Sequence, residues 1–175
     1  DITDDEEVQK VVKEVGNTFG GIDILINSAG YADPKSLLET TVKNWETTFK
    51  VNVGSVFLIT REVVKYIKKN GGKIINIAST AGSTSRPGWA AYAASKAAVI
   101  SLSKTLSDEL KEYGIKVYCV SPGRCATDLR RILAPEEDPT TIMQPEDVAE
   151  FVDNLVSSAG DFLDGQDIVV RKQMR

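Results

Sequence analysis

Apolar positions along this chain follow two rhythms that alternate from one end to the other, a helical spacing and short continuous runs. Thr3 followed by Asp4, Asp5 and Glu6 reads as a helix start with a capping box, and Val8, Val11, Val12 and Val15 then recur on one helical face. The pattern ends this helix at Gly16 or Gly20. Ile22 to Ile26 is a short apolar run leading into Asn27-Ser28-Ala29-Gly30, the profile of a strand that ends in a loop. A long helix is predicted from about Val42 to Lys69, stopped by Asn70-Gly71-Gly72. Lys73 to Ala78 reads as the second strand, Ala90 to Tyr113 as a helix closed by Gly114, and Ile115 to Val120 as the third strand. Pro145 opens one more helix through Val156, and Asp167 to Val170 forms a last short strand.

The strands are apolar throughout instead of alternating with polar residues, which marks a parallel sheet buried on both faces. The predicted fold is therefore α/β, a doubly wound parallel sheet in three layers, α/β/α, with residues 1–175 in one domain. Ligands of such sheets bind beyond the carboxyl ends of the strands. Three strands run straight into turn-rich segments at that edge, Asn27-Ser28-Ala29-Gly30, Ser79-Thr80-Ala81-Gly82 and Ser121-Pro122-Gly123, so the site is expected there.

Composition narrows the chemistry. The chain has 175 residues, 42% of them apolar, enough for one buried core. A net charge of -4 without a basic stripe speaks against nucleic acid as a partner. Apolar runs of strand length fall far short of the roughly 20 residues of a membrane span, and the acidic start does not resemble a signal peptide, so no membrane partner and a cytoplasmic location are expected. Cys119 and Cys125 lack metal-ligand spacing and are read as reduced thiols. The chain has no histidine, which removes Ser-His and Cys-His nucleophiles, His-ligated metals and imidazole proton transfer together. No metal is expected, and any proton chemistry falls to Tyr, Lys, Asp, Glu or Cys.

Tyr92 and Lys96 stand four apart at the start of a helix, so their side chains share one face and the ammonium can approach the phenol. This spacing suits Tyr92 as a general acid/base whose pKa Lys96 depresses from about 10. A Tyr and a Lys so spaced also occur by chance on many helices. Ser79 ends an apolar strand thirteen residues before Tyr92, where its hydroxyl can bond a substrate oxygen or serve only a turn. Asn52 lies inside the apolar stretch from Phe49 to Ile59 and needs partners for its amide. Either a local kink there offers a backbone carbonyl to a water near Lys96, or Asn52 is a hydrogen-bonded structural residue.

Taken jointly, these residues resemble the short-chain dehydrogenase/reductase family, whose fold is Rossmann-like. Asn27-Ser28-Ala29-Gly30 is similar to its Asn-Ala-Gly signature, with Ser28 where a second Asn is commonest, and Tyr92-Ala93-Ala94-Ser95-Lys96 to its Tyr-x-x-x-Lys motif. Asn52 and Ser79 match the other two members of its catalytic tetrad. Pro122, Gly123, Cys125 and Thr127 fall in the loop that closes on the nicotinamide, and Asp1-Ile2-Thr3 resembles the Asp-x-Thr whose aspartate meets the adenine. The resemblance implies catalysis by Asn52, Ser79, Tyr92 and Lys96 with NAD or NADP. It further implies cofactor contacts from Asp1, Ile2, Asn27, Ala29, Gly30, Tyr92, Lys96, Pro122, Gly123, Cys125 and Thr127, those of Asn27, Ala29 and Gly30 through the backbone. The implied reaction interconverts a carbonyl and an alcohol, Ser79 orienting the carbonyl, Tyr92 moving the proton and Lys96 also binding the nicotinamide ribose.

The chain also departs from the family pattern. The Gly-rich phosphate turn and the residue that selects NAD or NADP are absent, as though the first two βα units of the fold were missing, and the expectation is a partial view of a longer protein whose Ile22–Ile26 strand is left as a bare apolar edge. The segment between Thr127 and Glu146 is shorter than the usual helical lid and contains Pro135 and Pro139. Arg86, Arg124, Arg130 and Arg131 fall around the expected pocket, which suggests a polar or phosphorylated substrate such as a sugar or polyol phosphate, or else merely a solubilising surface. Arg171-Lys172-Gln173 replaces the family's Asp-Gly-Gly after the last strand. The alternative function is a non-catalytic nucleotide sensor or interaction protein on the same scaffold. By analogy, a homodimer or homotetramer through the two long helices is expected.

Overall fold

A computed structural model of the chain describes residues 1–67 and 71–172. Helix α1 (Asp5–Phe19) is capped by Asp4, whose carboxylate accepts the backbone N–H groups of Glu6 and Glu7, both at 3.0 Å. The cap therefore lies one residue beyond the Thr3 predicted from the pattern. Asp4 places a full negative charge on the positive end of the helix, while Thr3 turns its N–H and hydroxyl to the Asp1 carboxylate. The helix runs past Gly16 to Gly20, and only Val8 and Val12 of the predicted valine stripe are buried, against Val63. Val11 and Val15 are exposed.

Strand β1 (Ile24–Asn27) follows, with Ile22 reduced to an isolated bridge to Ile67. The stretch predicted as one helix breaks into α2 (Val42–Phe49), a widened π turn (Lys50–Gly54), α3 (Ser55–Val63) and a closing 3₁₀ turn (Val64–Tyr66). Ile67 is already extended, and the predicted end at Lys69 and stop at Asn70 lie outside the described residues. Strand β2 (Gly72–Ile77), α4 (Ala90–Leu110), β3 (Ile115–Pro122), the six-residue α5 (Asp128–Leu133), α6 (Pro145–Val156) and β4 (Asp167–Val170) complete the order. The terminal segment predicted as Arg171-Lys172-Gln173 is described only through Lys172.

The four strands form one parallel sheet in the order β1-β2-β3-β4. Successive side chains leave a strand on opposite faces, and the two cores obey that rule. Ile74 and Val117 pack with Leu110 on one face, where Cys119 also meets Val56 and Val99 of α3 and α4. Ile75, Tyr118 and Val120 pack with Val152 and Leu155 of α6 on the other. This is the predicted three-layer arrangement. Burial on both faces fails for β1, however, because it is an edge strand and α6 covers its neighbours. Ile24 and Ile26, in register with Lys73 and Ile75 on the α6 side, remain 43% and 48% exposed, whereas Leu25 packs into the opposite core.

Candidate active site

The carboxyl ends of β1, β2 and β3 open onto one cleft of about 1020 Å³. Helix α4 starts beside it and carries Tyr92 and Lys96 into its wall, where they meet Ser79 from the end of β2. Ser79 is extended and caps a short turn (Thr80–Gly82), its hydroxyl oxygen accepting the Ala81 N–H at 3.2 Å. That turn presses against α4 at Gly82, where an added Cβ would come within 2.8 Å of the Lys96 carbonyl carbon and the Ala97 nitrogen. The spacing between Ser79 and the Tyr92/Lys96 helix thus depends on a residue without a side chain.

Lys96 is 4% exposed, and among the described residues its one hydrogen-bond acceptor is the Ile77 carbonyl at 2.8 Å. Burial pulls its pKa down to about 8. The ammonium lies 5.8 Å from the centroid of the Tyr92 ring. Tyr92 does not have the depressed pKa expected from the sequence. Burial raises it above the usual tyrosine value, and the neighbouring Ser79 hydroxyl pulls in the opposite direction. Trp89 packs edge-on against the Tyr92 ring at 5.6 Å.

Asn52 sits in the π turn, where the Ser55 N–H reaches back to the Lys50 carbonyl. Such widened turns open a helix locally and recur at functional positions. Its amide makes three hydrogen bonds: Oδ1 accepts the Tyr31 N–H at 2.7 Å, and Nδ2 donates to the Tyr31 carbonyl and to Ser95 Oγ, each at 2.9 Å. Ser95, wholly buried, donates in turn to the Tyr92 carbonyl at 2.7 Å. Asn52 therefore ties the loop after β1 to the helix carrying Tyr92. The role of Ser95 escaped sequence reasoning, although a serine on the buried face of a helix, just before Lys96, was a visible signal.

The cleft wall also includes Gly30, Pro122, Gly123, Cys125 and Thr127. A Cβ at Gly30 would stand 3.7 Å from both Asn52 Oδ1 and Lys96 Nζ. The Gly123 N–H donates to the Val170 carbonyl at 2.8 Å, and Thr127 caps α5. Asn27, Ala29, Asn52, Asp1 and Ile2 do not line the cleft. Asn27 contributes a side chain as well as backbone: its Nδ2 donates to Asn76 Oδ1 at 2.8 Å, and Asn76 donates to Ser103 Oγ at 2.9 Å, a buried relay from β1 through β2 to α4. Asp1 lies at the exposed start of α1, engaged with Thr3.

The arginine pattern needs correction. Arg86, Arg124 and Arg130 line the cleft, but Arg124 and Arg130 both grip Glu137, and Arg131 pairs with Asp128. Glu137 was missed because its partners lie seven and thirteen residues away, across a turn that has no sequence periodicity. Among the described residues, no cluster of Cys, Asp or Glu is placed to hold a metal ion.

A model of the short chain dehydrogenase family matches residues 1–138, a span that contains Asn52, Ser79, Tyr92 and Lys96. The chain belongs to that family. Its relatives include the 3-oxoacyl-(acyl-carrier-protein) reductase of Vibrio cholerae, 31% identical over 182 residues that cover 99% of this chain and 75% of that protein. The corresponding reductase of Synechocystis is 37% identical over 168 residues, 92% of this chain and 68% of that one. Among solved structures, a short chain dehydrogenase from Burkholderia cenocepacia in complex with NADP superimposes with a TM-score of 0.86 at 29% identity, covering 97% of this chain and 72% of the other. A 4-hydroxyisoleucine dehydrogenase complexed with NADH gives 0.83 at 30% identity, covering 97% and 76%. Among the described residues of this short-chain dehydrogenase, no helix is long and apolar enough to cross a membrane.

Proposed function

We propose that this short-chain dehydrogenase is an NAD(P)-dependent oxidoreductase that interconverts a carbonyl and an alcohol, and that its substrate is a 3-oxoacyl compound, not a sugar or polyol phosphate. The observation that carries the reading is the convergence of Ser79, Tyr92 and Lys96 on one cleft at the carboxyl edge of the sheet. The substrate class is supported by relatives named as 3-oxoacyl reductases and by the apolar part of the wall, to which Trp89, Leu129, Leu133 and Ala134 contribute.

The cleft suits a nicotinamide cofactor. Lys96 spends one of its three hydrogens on the Ile77 carbonyl, leaving two for ribose hydroxyls, and the bare Gly30 leaves room beside it. Pro122, Gly123, Cys125 and Thr127 would hold the carboxamide end. Neighbours in complex with NADH and with NADP support either cofactor. The bound nicotinamide supplies the hydride.

In the reductive direction the Ser79 hydroxyl donates to the substrate carbonyl oxygen and fixes its position. Tyr92, kept protonated by burial, transfers its proton to that oxygen as negative charge develops on it. Lys96, with a pKa of about 8, is mostly charged near neutral pH and stabilises the phenolate that results. Asn52 and Ser95 act behind them, holding the loop after β1 against the first turn of α4. The alternative of a non-catalytic sensor draws no support from a site in which all four residues are intact.

Nicotinamide absorbance, followed with NADH and NADPH in parallel, tests the proposal against a neutral 3-oxoacyl thioester and a ketose phosphate. The thioester is expected to turn over with the higher kcat/KM. A ketose phosphate used as well or better would restore the anionic substrate class, and cofactor binding without turnover of any carbonyl would favour the sensor.

A further inference from the structure

Two guanidinium groups in the lid wall of the cleft already hold a carboxylate, and it belongs to the protein. Arg130 on α5 donates through Nε to Glu137 Oε2 at 2.6 Å and through Nη2 to Oε1 at 3.0 Å, the parallel fork that arginine offers to a carboxylate or phosphate ligand. Arg124, from the loop after β3, adds Nη1 to Oε1 at 2.8 Å. The Glu137 side chain is only 14% exposed, so this pair is more shielded than an ordinary surface ion pair. Both arginines line the same cleft as Tyr92, and Glu137, which pairs with both, is not itself among the lining residues. Arg130, first, and Arg124 also keep the Glu137 carboxyl below its usual pKa, so it stays ionised in the seat.

We propose that Glu137 is a specificity-determining residue: its carboxylate fills the arginine seat in the cleft wall and thereby turns away carbonyl substrates that carry a carboxylate or phosphate. The inference rests on the reductase reading and adds a rule to it, that the preference for a neutral acyl substrate is set by an internal anion rather than by a lack of positive charge. Vacating the seat exposes a fork able to bind an anionic substrate group, at the cost of a looser lid.

The test compares Glu137→Ala and Glu137→Gln with wild type on two 3-oxoacyl thioesters that differ only in a terminal carboxylate. In Glu137→Ala the ratio of kcat/KM, carboxylate over neutral, is expected to rise about tenfold, mainly through KM, as one charge-assisted bidentate contact is gained. Glu137→Gln keeps the volume of the side chain and moves the ratio in the same direction by less, and Arg130→Met added to Glu137→Ala returns it to the wild-type value. An unchanged ratio in both single variants, with neutral turnover retained, overturns the proposal. If wild type reduces no carbonyl at all, the reductase reading fails by itself, and the seat is then read by calorimetric titration with acetate. Acetate bound about tenfold more tightly by Glu137→Ala than by wild type upholds the seat, and equal affinity refutes it.

Discussion

The two ends of the sheet use lysine in opposite ways. At the amino end, Lys73 on β2 donates to the carbonyls of Leu155 and Ser157 at 3.2 and 2.6 Å and pairs with Asp161 at 2.9 Å, closing the negative end of α6. Lys116 on β3 joins the same carboxylate at 2.9 Å. The buried Tyr118 hydroxyl there lacks a hydrogen-bond partner among the described residues. At the carboxyl end, Lys96 is more deeply enclosed than Lys73, yet among the described residues it meets a single carbonyl and no carboxylate, and burial holds its pKa at about 8. The first arrangement satisfies a charge as soon as the chain folds. The second maintains a charge at a cost to the fold, which is how a group kept for a ligand differs from one kept for stability.

That contrast can be broken most sharply at Lys96. Lys96→Met is expected to lower turnover by about a thousandfold, while raising stability by about 3 kcal/mol near neutral pH, because a costly buried ammonium is removed. The size of this gain depends on pH. Below about 8 wild type bears the whole penalty; from there up to the unfolded lysine value near 10.4 the native ammonium has lost its proton while the unfolded one keeps it, so wild type gains on the variant and the difference closes. Urea unfolding of both proteins across that window checks it, and a difference that widens with pH would contradict the account. The smaller effect lies at the other end. Lys73→Met loses two carbonyl contacts and a carboxylate, and is expected to destabilise by about 1–3 kcal/mol with kcat of the folded protein unchanged within about twofold. A fall in kcat at constant fold would mean that the two ends are not separable.

How much of this was legible depends on the length of each signal. Helix α6 and strand β4 appear in the sequence with their observed bounds because Pro145, a helical apolar face and a compact apolar run mark them independently. Helix α5 was missed because six residues hold less than two helical turns and no apolar stripe. The break at Lys50–Gly54 could not be seen either, since a π turn leaves the apolar spacing almost intact, although Asn52 pointed to something unusual there. Exposure of Ile24 and Ile26 agrees with the bare apolar edge expected for this strand, which the family resemblance suggested and composition does not encode. At the site, pattern alone put the Ser79 turn at the carboxyl edge and Tyr92 and Lys96 on one face of a helix, and only the family resemblance joined the three, while the upward shift of Tyr92 and the capture of two arginines by Glu137 depend on three-dimensional neighbours.

The central claim, that the Tyr92 phenol moves the proton in a nicotinamide-dependent carbonyl reduction, is tested most directly by Tyr92→Phe, which keeps the ring packed against Trp89 and removes only the hydroxyl. Single-turnover hydride transfer and cofactor affinity should be measured together for variant and wild type. The account predicts transfer slowed by about a hundredfold to ten-thousandfold with the cofactor Kd changed little. Transfer at the wild-type rate in Tyr92→Phe would contradict it.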